Sequence, residues 1–86
     1  MQNKVMLVDK NGREVKIGSK IRIKIPMQDA YDTGRVCYDE EDDTYYYVSR
    51  GKAKWSNGKN YWAIQKGEEY CLDEYDDFEV IDRYEN

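Results

Sequence analysis

Residues 20–25 alternate strictly between basic and apolar side chains, and this alternation constrains the fold more than any other part of the sequence. Lysine or arginine stands at positions 20, 22 and 24, and isoleucine stands at positions 21, 23 and 25. Because successive side chains of a β-strand point to opposite faces, the pattern predicts a strand with one buried and one solvated face. Pro26 is predicted to end this strand.

Further short strand patterns are separated by turn-forming residues, and helical periodicity is almost absent. Asn-Gly pairs at 11–12 and 57–58 predict two turns, the first a type I′ hairpin turn over Asp9–Gly12. We expect a loop over residues 27–33 and an acidic turn over residues 39–43. Additional strands are predicted near residues 5–8, 15–17, 34–38, 44–48, 61–64, 69–72 and 78–81, with at most one helical turn, at residues 73–77.

These elements predict a single all-β domain over residues 1–86, a small SH3-like antiparallel β-barrel of five or six short strands. Closing such a sheet protects strand edges that would otherwise pair with other chains. An OB-like barrel is the alternative, although that fold usually needs a longer helix than this sequence offers.

The composition indicates one modest core. The chain has 86 residues, of which 40% are hydrophobic and 37% are charged, and its nine tyrosines and two tryptophans supply bulk for the core. The absence of histidine and of a Cys-x-x-Cys pair argues against zinc. Neither a signal peptide nor a membrane span is recognisable, so we expect a reducing cytosol with Cys37 and Cys71 as free thiols; a disulfide between them is the alternative.

The net charge of −4 is unevenly distributed along the chain. Residues 1–36 carry a net charge of +4, and residues 37–86 carry a net charge of −8. Because phosphate contacts need a basic face, such a protein is not an obvious binder of duplex DNA.

Several short segments carry a family resemblance. The N-terminal segments are DKNGREV at Asp9–Val15 and GSKI at Gly18–Ile21. The later segments are GRV at Gly34–Val36, YYV at Tyr46–Val48 and FEVIDRYEN at Phe78–Asn86. This pattern resembles that of YopX-like phage and prophage proteins, although the chain lacks their usual N-terminal segment and carries a basic-aromatic insertion near residues 50–66. The resemblance implies an SH3-like barrel from a phage or an integrated element, and it implies little about activity.

Two acidic clusters are candidate partner-binding surfaces. They comprise Asp39, Glu40, Glu41, Asp42 and Asp43, and then Glu68, Glu69, Asp73, Glu74, Asp76 and Asp77. The first cluster departs from the EF-hand calcium loop, since Thr44 replaces its glycine and Arg50 its final glutamate. The first cluster is explained by a solvated hairpin turn, or alternatively by docking to a basic partner or imitation of nucleic-acid phosphates. The second cluster is explained by an ordinary strand–turn–strand, or alternatively by a polar-aromatic protein-binding patch that includes Tyr70 and Tyr75. Within the second cluster, Leu72 and Phe78 are predicted core residues.

Residues 50–66 combine cations with aromatic rings and contain no acid. The candidate ligand-binding residues are Arg50, Lys52, Lys54, Trp55, Lys59, Tyr61 and Trp62, with Lys66 at the end of the segment. Cations beside aromatic faces suit single-stranded nucleic acid or a nucleotide. The alternative is a hairpin whose tryptophans fill the barrel, and on a strand Tyr61 and Trp62 would point to opposite faces.

Catalysis has little support, because no histidine is present to activate a serine and no glycine-rich phosphate loop appears. We expect a non-enzymatic protein without a cofactor or metal, located in the cytoplasm of a bacterial host. The leading hypothesis is a phage or mobile-element accessory protein that modulates a host protein with a basic surface, for example as an anti-CRISPR-like inhibitor of a nuclease defence system. The alternatives are a single-stranded nucleic-acid or nucleotide-binding barrel acting through residues 50–66, and a structural phage component. The oligomeric state stays open.

Overall fold

Six short antiparallel strands form one sheet in the computed structural model, which describes residues 7–72 and 77–81. The strands are β1 (Lys20–Lys24), β2 (Ala30–Asp39), β3 (Thr44–Ser49), β4 (Lys54–Trp55), β5 (Glu69–Cys71) and β6 (Phe78–Val80). Their order is β5-β3-β2-β1-β6, and β4 pairs with β2. The predicted all-β class of short antiparallel strands is thus confirmed, and the architecture is consistent with a small barrel-like fold.

Strand β2 is the longest and connects most of the sheet. Strand β1 pairs along one edge of it, with Lys24 opposite Tyr31. Along the other edge, β4 pairs at the start of β2 and β3 pairs from Gly34 to Asp39. The prediction of a loop through residue 33 is therefore wrong, since β2 begins at Ala30. The first inward positions of this strand carry Ala30, Asp32 and Gly34, which do not form a recognisable apolar alternation.

The inward side chains form two hydrophobic clusters. The first cluster consists of Val15, Ile21, Ile23, Val36, Tyr47, Leu72 and Phe78. The second cluster consists of Ile25, Ala30 and Ala53, with Trp55, Tyr61 and Ile64 packed against it. The predicted burial of alternate isoleucines in and after β1 is confirmed, as is the burial of Leu72 and Phe78.

The N-terminal turn forms as predicted, but its type differs. The Gly12 N–H donates to the Asp9 carbonyl at 3.0 Å, and the Asp9 N–H donates to the Arg13 carbonyl at 2.9 Å. Gly12 has a φ of 82°, whereas Asn11 does not have a positive φ. A type I′ turn needs a positive φ at both central residues, so this is a type I turn followed by a glycine bulge. The turn around Gly58, with a φ of 91°, has the same hydrogen bonds.

Three other strand predictions need correction. Residues 61–64 form turns and not a strand, with Tyr61 and Ile64 half-buried against the second cluster. The predicted strands near 5–8 and 15–17 are reduced, within the described residues, to an isolated bridge between Val8 and Glu14. The possible helical turn at 73–77 lies mostly outside the described residues, as do Val5 and the segment after Ile81.

Candidate functional site

The outward face of the sheet collects basic residues from β1 and β2. Because the isoleucines of β1 point into the core, Lys20, Arg22 and Lys24 point to the opposite face. The register places Lys20 opposite Arg35, and Lys24 opposite Tyr31. Cations from the net positive N-terminal part of the chain therefore lie on one surface.

Strand β4 extends this surface with residues of the basic-aromatic segment. Lys54 lies opposite Tyr31 in the sheet, and its Nζ donates to the Asn60 side chain at 3.0 Å. Trp55 is half-buried against the second cluster, and its ring meets the Tyr61 ring edge-on at a centroid distance of 4.9 Å. The hydrophobic cluster thus holds Trp55 in place beside the outward face.

A cavity of about 500 Å³, which we call the aromatic cavity, opens where these elements meet. Its principal lining residues are Arg22, Tyr31, Thr33, Lys52, Lys54 and Trp55. Among the residues that the structure describes, no carboxylate lines it. The Arg22 guanidinium lies 5.6 Å from the centroid of the Tyr31 ring and also pairs with the carboxylate of Glu79. The cavity therefore combines three cations with two aromatic rings, and one of the cations is paired.

Tyr61 and Trp62 lie in different environments, as residues on opposite faces of a strand would, although neither belongs to a strand. Tyr61 packs on Trp55, whereas Trp62 is 79% exposed. Both line a smaller cavity of about 350 Å³ together with Lys52 and Lys54. The hypothesis that both tryptophans fill the core is therefore wrong for Trp62 and holds only in part for Trp55.

The other predicted basic residues are distributed around this site. Arg50 and Lys66 line a neighbouring cavity that also includes Lys52. Lys59 is exposed in the turn after Trp55, and its backbone carbonyl accepts a hydrogen bond from the Trp55 N–H at 2.8 Å. The sequence interpretation missed Arg22, Tyr31 and Arg35. The outward half of the β1 alternation was a signal for Arg22, whereas Tyr31 and Arg35 come from β2.

The acidic turn after β2 is exposed from Glu40 to Asp43, as predicted. Asp39 has a structural role there, because its Oδ1 accepts a hydrogen bond from the Glu41 N–H at 3.0 Å. Asp43 has a φ of 57° and closes the turn by donating its N–H to the Asp39 carbonyl at 2.7 Å. The turn lies at the opposite end of the ten-residue strand β2 from β4. At about 3.3 Å per residue, the two ends of the strand are roughly 30 Å apart.

The second acidic cluster is only partly described. Asp73, Glu74 and Asp76 lie outside the described residues, while Asp77 pairs with Lys10 at 3.2 Å. The Tyr70 hydroxyl and the Gln65 N–H donate to the Glu68 carboxylate, and the Tyr70 hydrogen bond in particular lowers its pKa. Glu69 is exposed on β5. These contacts show how Glu68 stabilises its own turn, and they do not bring the cluster together as one surface.

Cys37 and Cys71 flank Tyr46 on neighbouring strands and are both free thiols. Two strand spacings separate their Cα atoms by about 9–10 Å. A disulfide spans at most about 7 Å between Cα atoms, so this register does not accommodate one. Within residues 7–72 and 77–81, no group of three or more Cys, Asp or Glu side chains is placed to hold a metal ion. The same part of the chain has no helix with the length and apolarity to span a bilayer.

Comparisons with protein-family models, curated proteins and solved structures gave no match to this chain. The resemblance to YopX-like proteins therefore stays a prediction, and the site must be interpreted from its own geometry.

Proposed function

We propose that this protein is a non-enzymatic binding domain that holds single-stranded nucleic acid on the outward face of its sheet. The observation that carries this proposal is the aromatic cavity, where the basic-aromatic segment meets β1 and β2. It joins Arg22, Lys52 and Lys54 to the rings of Tyr31 and Trp55, and none of the described carboxylates lines it.

Two interactions make this cavity suitable for a single strand. Every nucleobase has a face that stacks on an aromatic ring, and such stacking contributes about 1–3 kcal/mol per base. Lysine and arginine side chains pair with the phosphates and release counterions from the strand. A cavity with rings beside cations allows both interactions at once, whereas a duplex would keep its bases inaccessible to the rings.

Fluorescence anisotropy of a labelled oligothymidine of about ten nucleotides, measured at low salt, tests this proposal. We expect saturable binding, which Tyr31→Ala weakens by about fivefold or more because one stacking surface is lost. Replacing Lys52 and Lys54 together by glutamine should reduce the slope of log affinity against log salt by about 1.4, since each phosphate contact on a single strand contributes about 0.7.

Lys16→Gln is the matched control, because Lys16 is exposed and does not line the aromatic cavity. This variant removes one positive charge, against two in the double variant, and should leave the affinity at 0.15 M salt within about twofold, because Lys16 does not line the cavity that holds the strand and exposed charges are strongly screened at that ionic strength. No binding by the unmodified protein, or equal losses in Lys16→Gln and in the cavity variants, would contradict the proposal.

The binding of a basic host protein through the acidic turn stays a prediction of a second function. Its support is that the side chains of Glu40, Glu41, Asp42 and Asp43 are exposed at the end of the sheet farthest from β4. Inhibition of a host nuclease rests on the acidic clusters together with the phage-like resemblance, and an origin in a phage rests on that resemblance; both are predictions of the same standing.

A further inference from the structure

A second cavity, which we call the cationic cavity, lies beside the aromatic cavity and differs from it in chemistry. It has a volume of about 380 Å³. Its lining includes Arg35, Ser49, Arg50, Lys52 and Lys66. Within residues 7–72 and 77–81, neither an aromatic ring nor a carboxylate lines it. It offers positive charge without a stacking surface.

Two glycine turns bring these cations together at the end of β3. Gly51 has a φ of 72°, and a Cβ on it would lie 2.7 Å from the backbone nitrogen of Lys66. Only glycine allows the chain after Arg50 to approach Lys66 this closely. The Gly67 N–H donates to the Ser49 carbonyl at 2.9 Å, and the Gly51 N–H donates to the Ser49 hydroxyl at 3.0 Å. Both turns are therefore fixed to the same residue of β3.

The positive charges of this cavity are not neutralised by the part of the protein that the structure describes. The ion pairs found there join Lys10 to Asp77 and Arg22 to Glu79. The nearby Glu68 carboxylate accepts hydrogen bonds from Tyr70 and Gln65. The Arg35 guanidinium donates to the Gly18 carbonyl at 2.8 Å, which restricts its position. Arg35, Arg50, Lys52 and Lys66 form no ion pair with a described carboxylate, although Glu68 and Glu69 lie in the neighbouring segment, and an anion in the cavity reduces the repulsion among the four cations.

Lys52 lines both the aromatic and the cationic cavity, so a single ligand can occupy the two together. We propose that the cationic cavity binds the terminal phosphomonoester of a single strand whose neighbouring base lies in the aromatic cavity. A terminal monoester carries a charge of about −1.5 to −2 at pH 7, and a backbone diester carries one negative charge, so a cluster of cations favours the terminus. This inference rests on the proposed function and specifies which part of the strand is recognised.

Three oligothymidines of equal length test the inference, bearing a 5′-phosphate, a 3′-phosphate or hydroxyls at both ends. We expect a phosphate at one end to increase the affinity of the unmodified protein by about five- to tenfold, as two or three partly exposed ion pairs would. The increase should shrink between pH 7.5 and pH 5.5, because the second pKa of the phosphate is about 6.

Paired variants separate the two cavities. Replacing Arg50 and Lys66 together by glutamine should reduce the ratio of the affinities for the phosphorylated and the dihydroxyl strands to about one, whereas any loss of general phosphate contacts weakens all three strands alike. Tyr31→Ala should weaken all three strands by the same factor and preserve the increase, because Tyr31 does not line the cationic cavity. Thermal unfolding of each variant checks that its fold is intact.

Equal affinities for all three strands would overturn this inference, and so would an increase that survives loss of Arg50 and Lys66. Either result leaves the proposed function standing if Tyr31→Ala still weakens the dihydroxyl strand. Failure of every oligonucleotide to bind the unmodified protein would overturn both.

Discussion

Two buried aspartates, Asp9 and Asp32, have pKa values that are shifted in opposite directions. Asp9 is 4% exposed, and burial alone would raise its pKa, but hydrogen bonds from the N–H groups of Val80, Arg13 and Asn11 outweigh burial and lower it. Asp32 is fully buried, and burial raises its pKa despite hydrogen bonds from the hydroxyls of Ser49 and Tyr47. The two carboxyl groups therefore shift the stability of the fold in opposite directions as the pH changes.

Asp9→Asn should lower the free energy of unfolding at pH 7 by about 1.5–3 kcal/mol, because an amide group replaces a charged acceptor of backbone N–H groups. The lowered pKa of Asp9 means that its stabilisation is complete above the unfolded value near 3.9 and is lost as the pH falls through the folded value. The variant should therefore lose less stability than the unmodified protein on acidification from about pH 5 to pH 3. Urea unfolding across this range measures both effects, and an unchanged slope would contradict the assignment.

Asp32→Asn should show the reverse trend. Since the pKa of Asp32 is raised in the folded state, the folded protein binds the extra proton, and stability decreases as the pH rises from about 4 through the folded pKa. The free energy of unfolding of the variant, relative to the unmodified protein, should therefore increase with pH over that interval. The same urea series tests this, and a difference that does not vary with pH would show that Asp32 has an ordinary pKa.

At the scale of elements, the close approach of β2 and β3 at Gly34 is a structural requirement. A Cβ at this position would lie 2.4 Å from Cδ2 of Tyr47 and 2.5 Å from the carbonyl oxygen of Val48. Tyr47 is fully buried, and the carbonyl belongs to the sheet backbone, so neither can easily move away. Gly34 thus allows the ring of Tyr47 to lie across β2.

Gly34→Ala should destabilise the protein by about 1–3 kcal/mol or more, as overpacking of a buried site does. Thr33→Ala, at the neighbouring outward position, is the control and should change the free energy of unfolding by less than about 1 kcal/mol. Urea unfolding with unchanged m-values measures the difference. If the two variants were equally stable, the approach of the strands would not be as tight as the structure indicates.

Some elements were predictable from the sequence and others were not, for physical reasons. The alternation in β1 is explicit because apolar and charged residues occupy its two faces. The start of β2 is hidden, because its inward positions carry a buried aspartate and a glycine, which are typical of turns. Residues 61–64 have β-forming side chains, yet Tyr61 and Ile64 reach the second cluster at a spacing of three, which a strand cannot provide.

About half of the residues that line the aromatic cavity were predictable from the sequence. Lys52, Lys54 and Trp55 lie within four consecutive residues and belong to a recognisable basic-aromatic segment. Arg22 and Tyr31 join them only through the pairing of β1 and β4 with β2, and that register cannot be derived from composition. A site assembled from separate strands is visible only after the strands are paired.

At the scale of the whole molecule, the charges are separated along β2. The outward face near β4 is basic, whereas the turn after Asp39 carries four exposed acids roughly 30 Å away. Screening over about 8 Å at physiological ionic strength makes these two ends electrostatically independent. The overall charge of −4 therefore does not prevent an anion from binding at the basic end.

Neutralising Glu40, Glu41, Asp42 and Asp43 with the corresponding amides should change oligonucleotide affinity by less than about twofold at 0.15 M salt. By contrast, the single substitution Glu79→Gln should increase affinity several-fold, because it releases Arg22 from its ion pair beside the aromatic cavity. Anisotropy titrations of the two variants under identical conditions compare these effects. A larger gain from the distant turn than from Glu79→Gln would contradict the separation of charges.

The position of β6 beside β1 has a consequence for how the chain folds. Arg22 and Glu79 face each other across 57 residues of sequence, and Asp9 reaches the Val80 N–H across 71. Contacts this distant in sequence require closure of a large loop before they contribute any energy, and folding dominated by them takes milliseconds to seconds. On the ribosome, β1 and the first hairpin emerge well before Phe78 is synthesised. Ile21 and Ile23 therefore stay incompletely buried on the nascent chain until β6 pairs with β1. Apolar surface that is exposed during this time favours aggregation.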